Sequence, residues 1–183
     1  MIYHFSLQAA GIAAGLFLLL AGLPGLLAPE PSSHWMRALP RSRLIGIALL
    51  SVAFLWSLWL LATMEMGEFS SFRKPLLFAL PVGFVLVLVF VNEFLAVRAL
   101  GILFLLAAEP LLEAAFLRYE ASRLLVTVFA YIMIVAGLFW VTMPYLLRDH
   151  IQWSTRSVHR WRVISAVTMV YGAAILACAV ITY

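Results

Sequence analysis

The chain has 183 residues, of which 66% are hydrophobic and only 11% are charged. A soluble domain carries roughly a quarter of its residues as charged side chains, so this composition excludes an ordinary water-soluble domain. The formal net charge is +4, but no long basic run exists and the arginines stand beside apolar segments. This pattern is typical of membrane orientation rather than nucleic-acid binding, and membrane lipids are the expected partners.

The apolar runs predict an all-α integral membrane protein, a single bundle of about six transmembrane helices. Each run is close to the roughly 20 residues that a helix needs to cross a bilayer. The first run lacks the Lys or Arg of a secretory signal and is too long for one, so we expect it to be retained. One transmembrane domain over residues 1–183 is predicted, with spans at 5–28, 44–64, 75–92, 99–117, 123–144 and 162–182.

Small residues on the first and last spans predict close helix packing. Gly11 and Gly15 form a GxxxG motif, and Gly22 extends the same stripe. Small residues let helix backbones approach each other inside a membrane. Such stripes join spans one and six of one chain, or they join two chains. The corresponding stripe on the last span consists of Ser165, Gly172 and Ala179.

Two segments of the chain share a weak similarity. The anchors Gly15, Pro24, Trp35 and Arg43 resemble, with a short gap between each pair, the later residues Gly137, Pro144, Trp153 and Arg162. Duplicated hairpins occur in transporters built from repeats. Two hairpins in one membrane also share constraints on Pro, Trp and Arg, so the sequence leaves both explanations open.

The stretch from residue 75 to residue 117 requires a turn. As one helix it would be about 64 Å long, twice the thickness of the hydrocarbon core. We place the turn between Asn92 and Arg98, where Asn92 ends a helix and Glu93 pairs with Arg98. The alternative is functional, with Asn92 and Glu93 lining the entrance to a path through the bundle.

Glu109 and Glu113 are the most unusual polar pair, because residues four apart share one helix face. If the fourth span begins near Arg98, Glu109 lies about 16 Å deep, where a carboxylate is costly unless it has a function. A proton or small-cation site then uses both glutamates. The alternative is that the span ends at Ala108 and that the glutamates pair at the surface with Arg118 or Arg123.

The distribution of basic residues predicts orientation. Four basic residues follow the even-numbered spans, namely Arg73, Lys74, Arg118 and Arg123. Eight follow spans one, three and five: Arg37, Arg41, Arg43, Arg98, Arg148, Arg156, Arg160 and Arg162. The positive-inside rule places these eight in the cytoplasm. Both termini are therefore expected outside, and the expected location is a bacterial inner membrane.

Arginines and tryptophans before the last span predict contact with lipid headgroups. Aromatic and basic side chains are common where a helix meets the membrane surface. The predicted contact residues are Arg156, Arg160, Arg162, Trp153 and Trp161.

The sequence predicts no cofactor and no metal. Cys178 is the only cysteine, which excludes an internal disulfide, and no two histidines lie inside predicted spans, as a bis-histidine haem would require. His150 and His159 are solvated loop residues or, alternatively, ligands of a surface metal. No glycine-rich phosphate loop, Gly-x-Ser-x-Gly, HExxH or Cys-x-x-Cys motif occurs.

Three functional hypotheses remain. The first is a non-enzymatic subunit or homo-oligomer that acts by helix packing, alone or with other membrane subunits. The second is a small proton or cation channel or transporter that uses Glu109 and Glu113, with Asn92 and Glu93 at one mouth. The third is a lipid-active enzyme, which requires a histidine and a carboxylate to converge in a cleft at the basic surface.

Overall fold

The computed structural model describes residues 6–91, 93–118 and 120–181. Throughout these residues the chain is helical and contains no strand. Short 3-10 segments lie at Leu39–Arg41 and Gly67–Phe72. The helices are α1 (Leu7–Leu27), α2 (Pro29–Ala38), α3 (Arg43–Thr63), α4 (Arg73–Phe90), α5 (Leu95–Ala115), α6 (Arg123–Thr142), α7 (Tyr145–Ser154) and α8 (Val158–Ile181).

Six of these helices are long and apolar enough to cross a membrane. They are α1, α3, α5, α6, α8 and α4, the last together with the 3-10 segment before it. The predicted fold class is confirmed: the chain is a polytopic helical membrane protein.

The remaining two helices, α2 and α7, have ten residues each and lie in connections that the sequence analysis treated as loops. Pro29 begins α2, and Glu30 follows in its first turn, where a negative charge suits the helix dipole. Pro144 precedes α7 in the same way. Both hairpins of the weak sequence similarity therefore have the order long helix, ten-residue helix, long helix.

Helix α4 ends at Phe90 and α5 begins at Leu95. Phe94 adopts a left-handed backbone conformation with φ of 54°. Because α5 starts four residues earlier than predicted, Arg98 lies in its first turn. The predicted pairing of Glu93 with Arg98 is wrong: within the described residues the Arg98 Nε is buried without a hydrogen-bond partner, and no ion pair joins the two. Asn92 lies outside the described residues.

Small residues bring α1 and α8 together. A Cβ atom on Gly15 would lie 3.0 Å from the Gly172 carbonyl oxygen, and one on Gly22 would lie 2.8 Å from the Ser165 carbonyl oxygen. These spacings are too short for a side chain, so the two backbones are in direct contact. The later residue of α1, Gly22, contacts the earlier residue of α8, Ser165, so the two helices are antiparallel. Gly11 and Ala179 are also buried on these helices.

Glycines also set two further helix contacts. Gly101 of α5 and Gly137 of α6 face each other, and a Cβ on either would lie within 2.9 Å of the other's carbonyl oxygen. Gly46 of α3 approaches the backbone of Ala96 in α5, where a Cβ would lie 2.7 Å from the amide nitrogen. One apolar core joins α1, α5, α6 and α8.

The antiparallel contacts define two ends of the bundle. The carboxyl end of α1 meets the amino end of α8, so α2 and α7 lie at one end, which we call the arginine end. The hairpin order places the amino ends of α3 and α5 there too. The opposite end, where α3 and α5 finish, is called the glutamate end because Glu109 and Glu113 lie towards it.

Helix α4 is attached loosely. None of its residues is buried; it packs mainly against α3, and Phe84, Val87 and Leu88 also lie against a small core that includes residues of α5. The rings of Phe54 and Phe84 stack across this contact with centroids 4.4 Å apart. A large apolar surface of α4 therefore faces away from the bundle.

Candidate functional site

An open cleft of about 1160 Å³ lies at the glutamate end, between α3, α5 and α6. Among the residues that the structure describes, its walls contain three carboxylates, one hydroxyl, two aromatic rings and apolar side chains, and no Lys, Arg or His. The lining residues are Trp59, Thr63, Glu65, Leu105, Ala108, Glu109, Leu112, Glu113, Phe116 and Ile134.

Helix α5 supplies two of the three carboxylates. Glu109 and Glu113 are one turn apart and point to the same side, as their spacing requires. The helix continues through Pro110 and ends at Ala115. The fourth span therefore does not end at Ala108, and Pro110 does not open a separate surface helix. Within the described residues, Glu109 forms no ion pair with Arg118 or Arg123.

The three carboxylates lie at different levels along the bundle. At 1.5 Å per residue, Glu109 is about 21 Å from the first residue of α5 and about 9 Å from its last. Glu113 is in the final turn of α5, and Glu65 lies two residues beyond the end of α3. Glu65 and Glu113 are thus near the glutamate end, and Glu109, whose side chain is exposed, lies about one helical turn deeper along the bundle axis.

Like charges in one cleft give it a negative potential, which concentrates cations. The carboxylates are nevertheless spread apart: among the described residues no three Asp, Glu, His or Cys side chains come close enough to hold one metal ion. The arrangement favours a proton or a bulky organic cation over a metal ion that several carboxylates chelate at once. Trp59 offers an aromatic face, a surface that attracts organic cations.

Glu93 does not belong to this cleft. It precedes α5 and is separated from Glu109 by about 24 Å along the helix direction. It is exposed at the arginine end. The structure therefore brings Glu109 and Glu113 together but leaves Glu93 apart, and Asn92 is outside the described residues.

Behind α5 lies a second cavity of about 540 Å³, between α1, α3, α5 and α6. Apart from Trp56, its lining consists of apolar side chains, among them Phe17, Phe104 and Met133. This apolar cavity therefore lies on the opposite face of α5 from the acidic cleft.

The residues predicted to contact lipid headgroups separate into two groups. Arg156, Arg162 and Trp153 are exposed, and the Arg160 guanidinium lies 4.6 Å from the centre of the Trp153 ring. Trp161 is only 8% exposed, and its Nε1 donates a hydrogen bond of 2.9 Å to Ser32 Oγ. Its place is inside the protein, because α2 covers the start of α8.

Sequence reasoning missed Trp59, Thr63 and Glu65 as companions of the two glutamates. Thr63 and Glu65 stand at the end of the second apolar run, and this position was the one feature of the sequence that could have indicated them. Their proximity to α5 depends on the parallel contact of α3 with α5, which the sequence does not encode locally. Comparisons with protein-family models, with curated proteins and with solved structures found no match for this chain.

Proposed function

We propose that this membrane protein binds a cation in the acidic cleft and moves or presents it at one membrane surface. The observation behind this proposal is that Glu65, Glu109 and Glu113 line one large cleft, in whose lining no described Lys, Arg or His takes part. A carboxylate inside a membrane is costly and is kept where it faces water or pairs with a cation. Glu109 is exposed to the cleft, and a bound cation would balance the negative charge there.

The cation class follows from the spacing and the aromatic surface. A proton, or an organic ammonium ion that reaches two carboxylates and an aromatic ring, suits a wide cleft better than a bare metal ion. Glu65 and Glu113 receive the cation at the rim, and Glu109 holds it deeper. Trp59 adds a cation–π contact, worth about 0.5–2 kcal/mol.

The charge distribution supports an orientation for this site. The eight arginines that follow spans one, three and five stand at the arginine end, which we assign to the cytoplasm of a bacterial inner membrane. The cleft then opens on the opposite face, with both termini on that face. The cation enters from outside the cell.

The test compares liposomes containing the wild type, Glu109→Gln, Glu113→Gln and the control Glu68→Gln. Glu68 is exposed in the neighbouring 3-10 segment and does not line the cleft. Proton flux and tetramethylammonium-induced changes in tryptophan fluorescence are measured. We expect either cleft substitution to weaken binding or flux by about tenfold, which corresponds to 1.4 kcal/mol, with the control unchanged. Equal signals from all four proteins would contradict the proposal.

A second candidate function is that of a subunit in a homo-oligomer or a complex with other membrane proteins. The small residues of α1 and α8 face each other inside the chain, so an oligomer needs another surface. Helix α4, which has no buried residue, provides one. Its exposed apolar residues include Phe78, Val82, Val85 and Phe90.

Cysteine cross-linking tests this second candidate. Cys178 is replaced by Ala, and Val85→Cys on α4 is compared with Val167→Cys on α8, since these valines are 54% and 64% exposed. An α4 interface predicts rapid disulfide dimers for Val85→Cys and slow ones for Val167→Cys in native membranes. Similar rates at both positions would exclude α4 as the interface.

A further inference from the structure

A small basic cavity lies at the arginine end, between α2 with its following 3-10 segment and α7. Its volume is about 220 Å³, and three of its six lining residues are Arg37, Arg41 and Arg148. The others are Pro40, Ile151 and Gln152, so no carboxylate of the described part of the chain lines the cavity. Three guanidinium groups around one small space repel each other unless an anion joins them.

Arg37 is held in position by the opposite helix. Its Nε donates to Thr155 Oγ1 at 2.7 Å, and its Nη2 donates to the Thr155 carbonyl oxygen. Thr155 ends α7, where unpaired carbonyl groups attract a cation. These bonds hold the guanidinium group of Arg37 at the cavity wall.

Arg148 and Arg41 complete the cavity in different ways. The Arg148 Nη2 lies 2.8 Å from Asp149 Oδ1, and its guanidinium lies 5.8 Å from the Phe94 ring centre, so Arg148 is partly neutralised and oriented. Arg41 is exposed and has no hydrogen bond or ion pair within the described residues. Three positive charges against one carboxylate leave an excess of two.

We propose that this cavity binds a phosphate group. Arginine guanidinium groups bind phosphate oxygens through paired hydrogen bonds, and the excess of two positive charges matches a phosphate monoester dianion. The volume is below the roughly 300–1,000 Å³ of sites that enclose a drug-sized molecule, so the cavity admits a headgroup rather than a whole ligand.

The phosphate comes from a membrane lipid or from solution. The cavity lies beside helices α2 and α7, which connect membrane-spanning helices and carry the exposed Trp35 and Trp153. Basic pockets at this level of a membrane protein bind anionic lipid headgroups. The chemistry recognised is the same in both cases, and the experiment distinguishes the sources.

The test uses the full chain, purified in a neutral detergent, with two probes. Native mass spectrometry counts bound phosphatidic acid, and equilibrium dialysis measures labelled inorganic phosphate. Arg41→Gln and Arg41→Lys are compared with Arg43→Gln, because Arg43 is exposed at the same end, does not line the cavity and is not among the predicted headgroup contacts. Arg41 is exposed and forms no hydrogen bond or ion pair within the described residues, so we expect its replacement to leave folding intact.

We expect Arg41→Gln to lower affinity by about tenfold, Arg41→Lys to restore part of it, and Arg43→Gln to have no effect. Retention of phosphatidic acid with weak binding of inorganic phosphate identifies a lipid site. Equal affinity for both probes identifies a site for soluble phosphate. Absence of binding by either probe, or equal losses in Arg41→Gln and Arg43→Gln, overturns the proposal. Cation binding at the opposite end is measured separately and is unaffected by these outcomes.

Discussion

The α1–α8 side of the bundle and the α3–α4 side are built differently. Helices α1 and α8 contact each other through Gly15, Gly22 and Gly172, and α2 and α7 are bound to this side by hydrogen bonds. On the other side, α4 has no buried residue, and a Cβ on Gly83 would meet nothing within 4 Å.

The two sides therefore differ in packing density. Close backbone contact packs the α1–α8 side tightly, whereas the α3–α4 side leaves space between its helices. The acidic cleft lies between α3, α5 and α6, and α3 packs against α5 and, through a smaller contact, against α4. A cleft of this size needs loosely packed helices, because a fully close-packed bundle has no room for one.

The largest effect is expected from alanine at matched glycines. Gly22→Ala places a Cβ 2.8 Å from the Ser165 carbonyl oxygen, which forces the backbones apart and destabilises the protein by about 1–3 kcal/mol. Gly83→Ala has open space and gains helix propensity, so it stabilises by about 0.5–1 kcal/mol. Unfolding titrations in mixed micelles measure both. Equal effects of the two changes on the free energy of unfolding would contradict the difference in packing between the two sides.

A smaller effect is expected at the contact between α2 and α7. Arg37→Ala removes both hydrogen bonds to Thr155 and costs about 1–2 kcal/mol, reduced from the usual value for charged groups because the side chain is exposed. Arg162→Ala at the same end is expected within about 0.5 kcal/mol of the wild type. The same unfolding titrations measure both variants. An Arg37→Ala variant as stable as the wild type would mean that these hydrogen bonds do not hold α2 against α7.

The smallest effect is expected for the bond between α2 and α8. Trp161→Phe keeps an aromatic ring but removes the Nε1 donor to Ser32, and it costs about 1 kcal/mol. Ser32→Ala is expected to cost the same, and the double variant no more than either alone. A double-mutant cycle measures the coupling. Additive losses would show that the two side chains act independently.

The sequence predicted the long helices well and the details of their ends poorly. The apolar runs located α1, α3, α4, α5, α6 and α8, because the bilayer length imposes a strong pattern. The pattern did not reveal α2 and α7, whose ten residues are mixed in polarity. It also did not show that Trp161 is covered, since burial under α2 depends on a residue 129 positions away.

The sequence indicated only part of the candidate site, because contacts between distant residues cannot be read from local sequence. Glu109 and Glu113 stood out because carboxylates are rare in apolar runs. Glu65 and Trp59 looked ordinary, because nothing in their local sequence indicates proximity to α5. The packing role of Gly101 and Gly137 was not predicted either, although each lies within an apolar run, because their contact joins different spans.

By itself, the sequence determined that this chain crosses a membrane through six helices and that its basic residues gather at alternate connections. Hydrophobicity and helix rise are local properties, so they can be read along the chain. Only the tertiary structure decided which glycines meet, that the small residues of α1 and α8 face each other within one chain, and that three carboxylates share one cleft. Inside a membrane all helices are apolar, so hydrophobicity cannot select their neighbours, and close packing of small residues makes that choice.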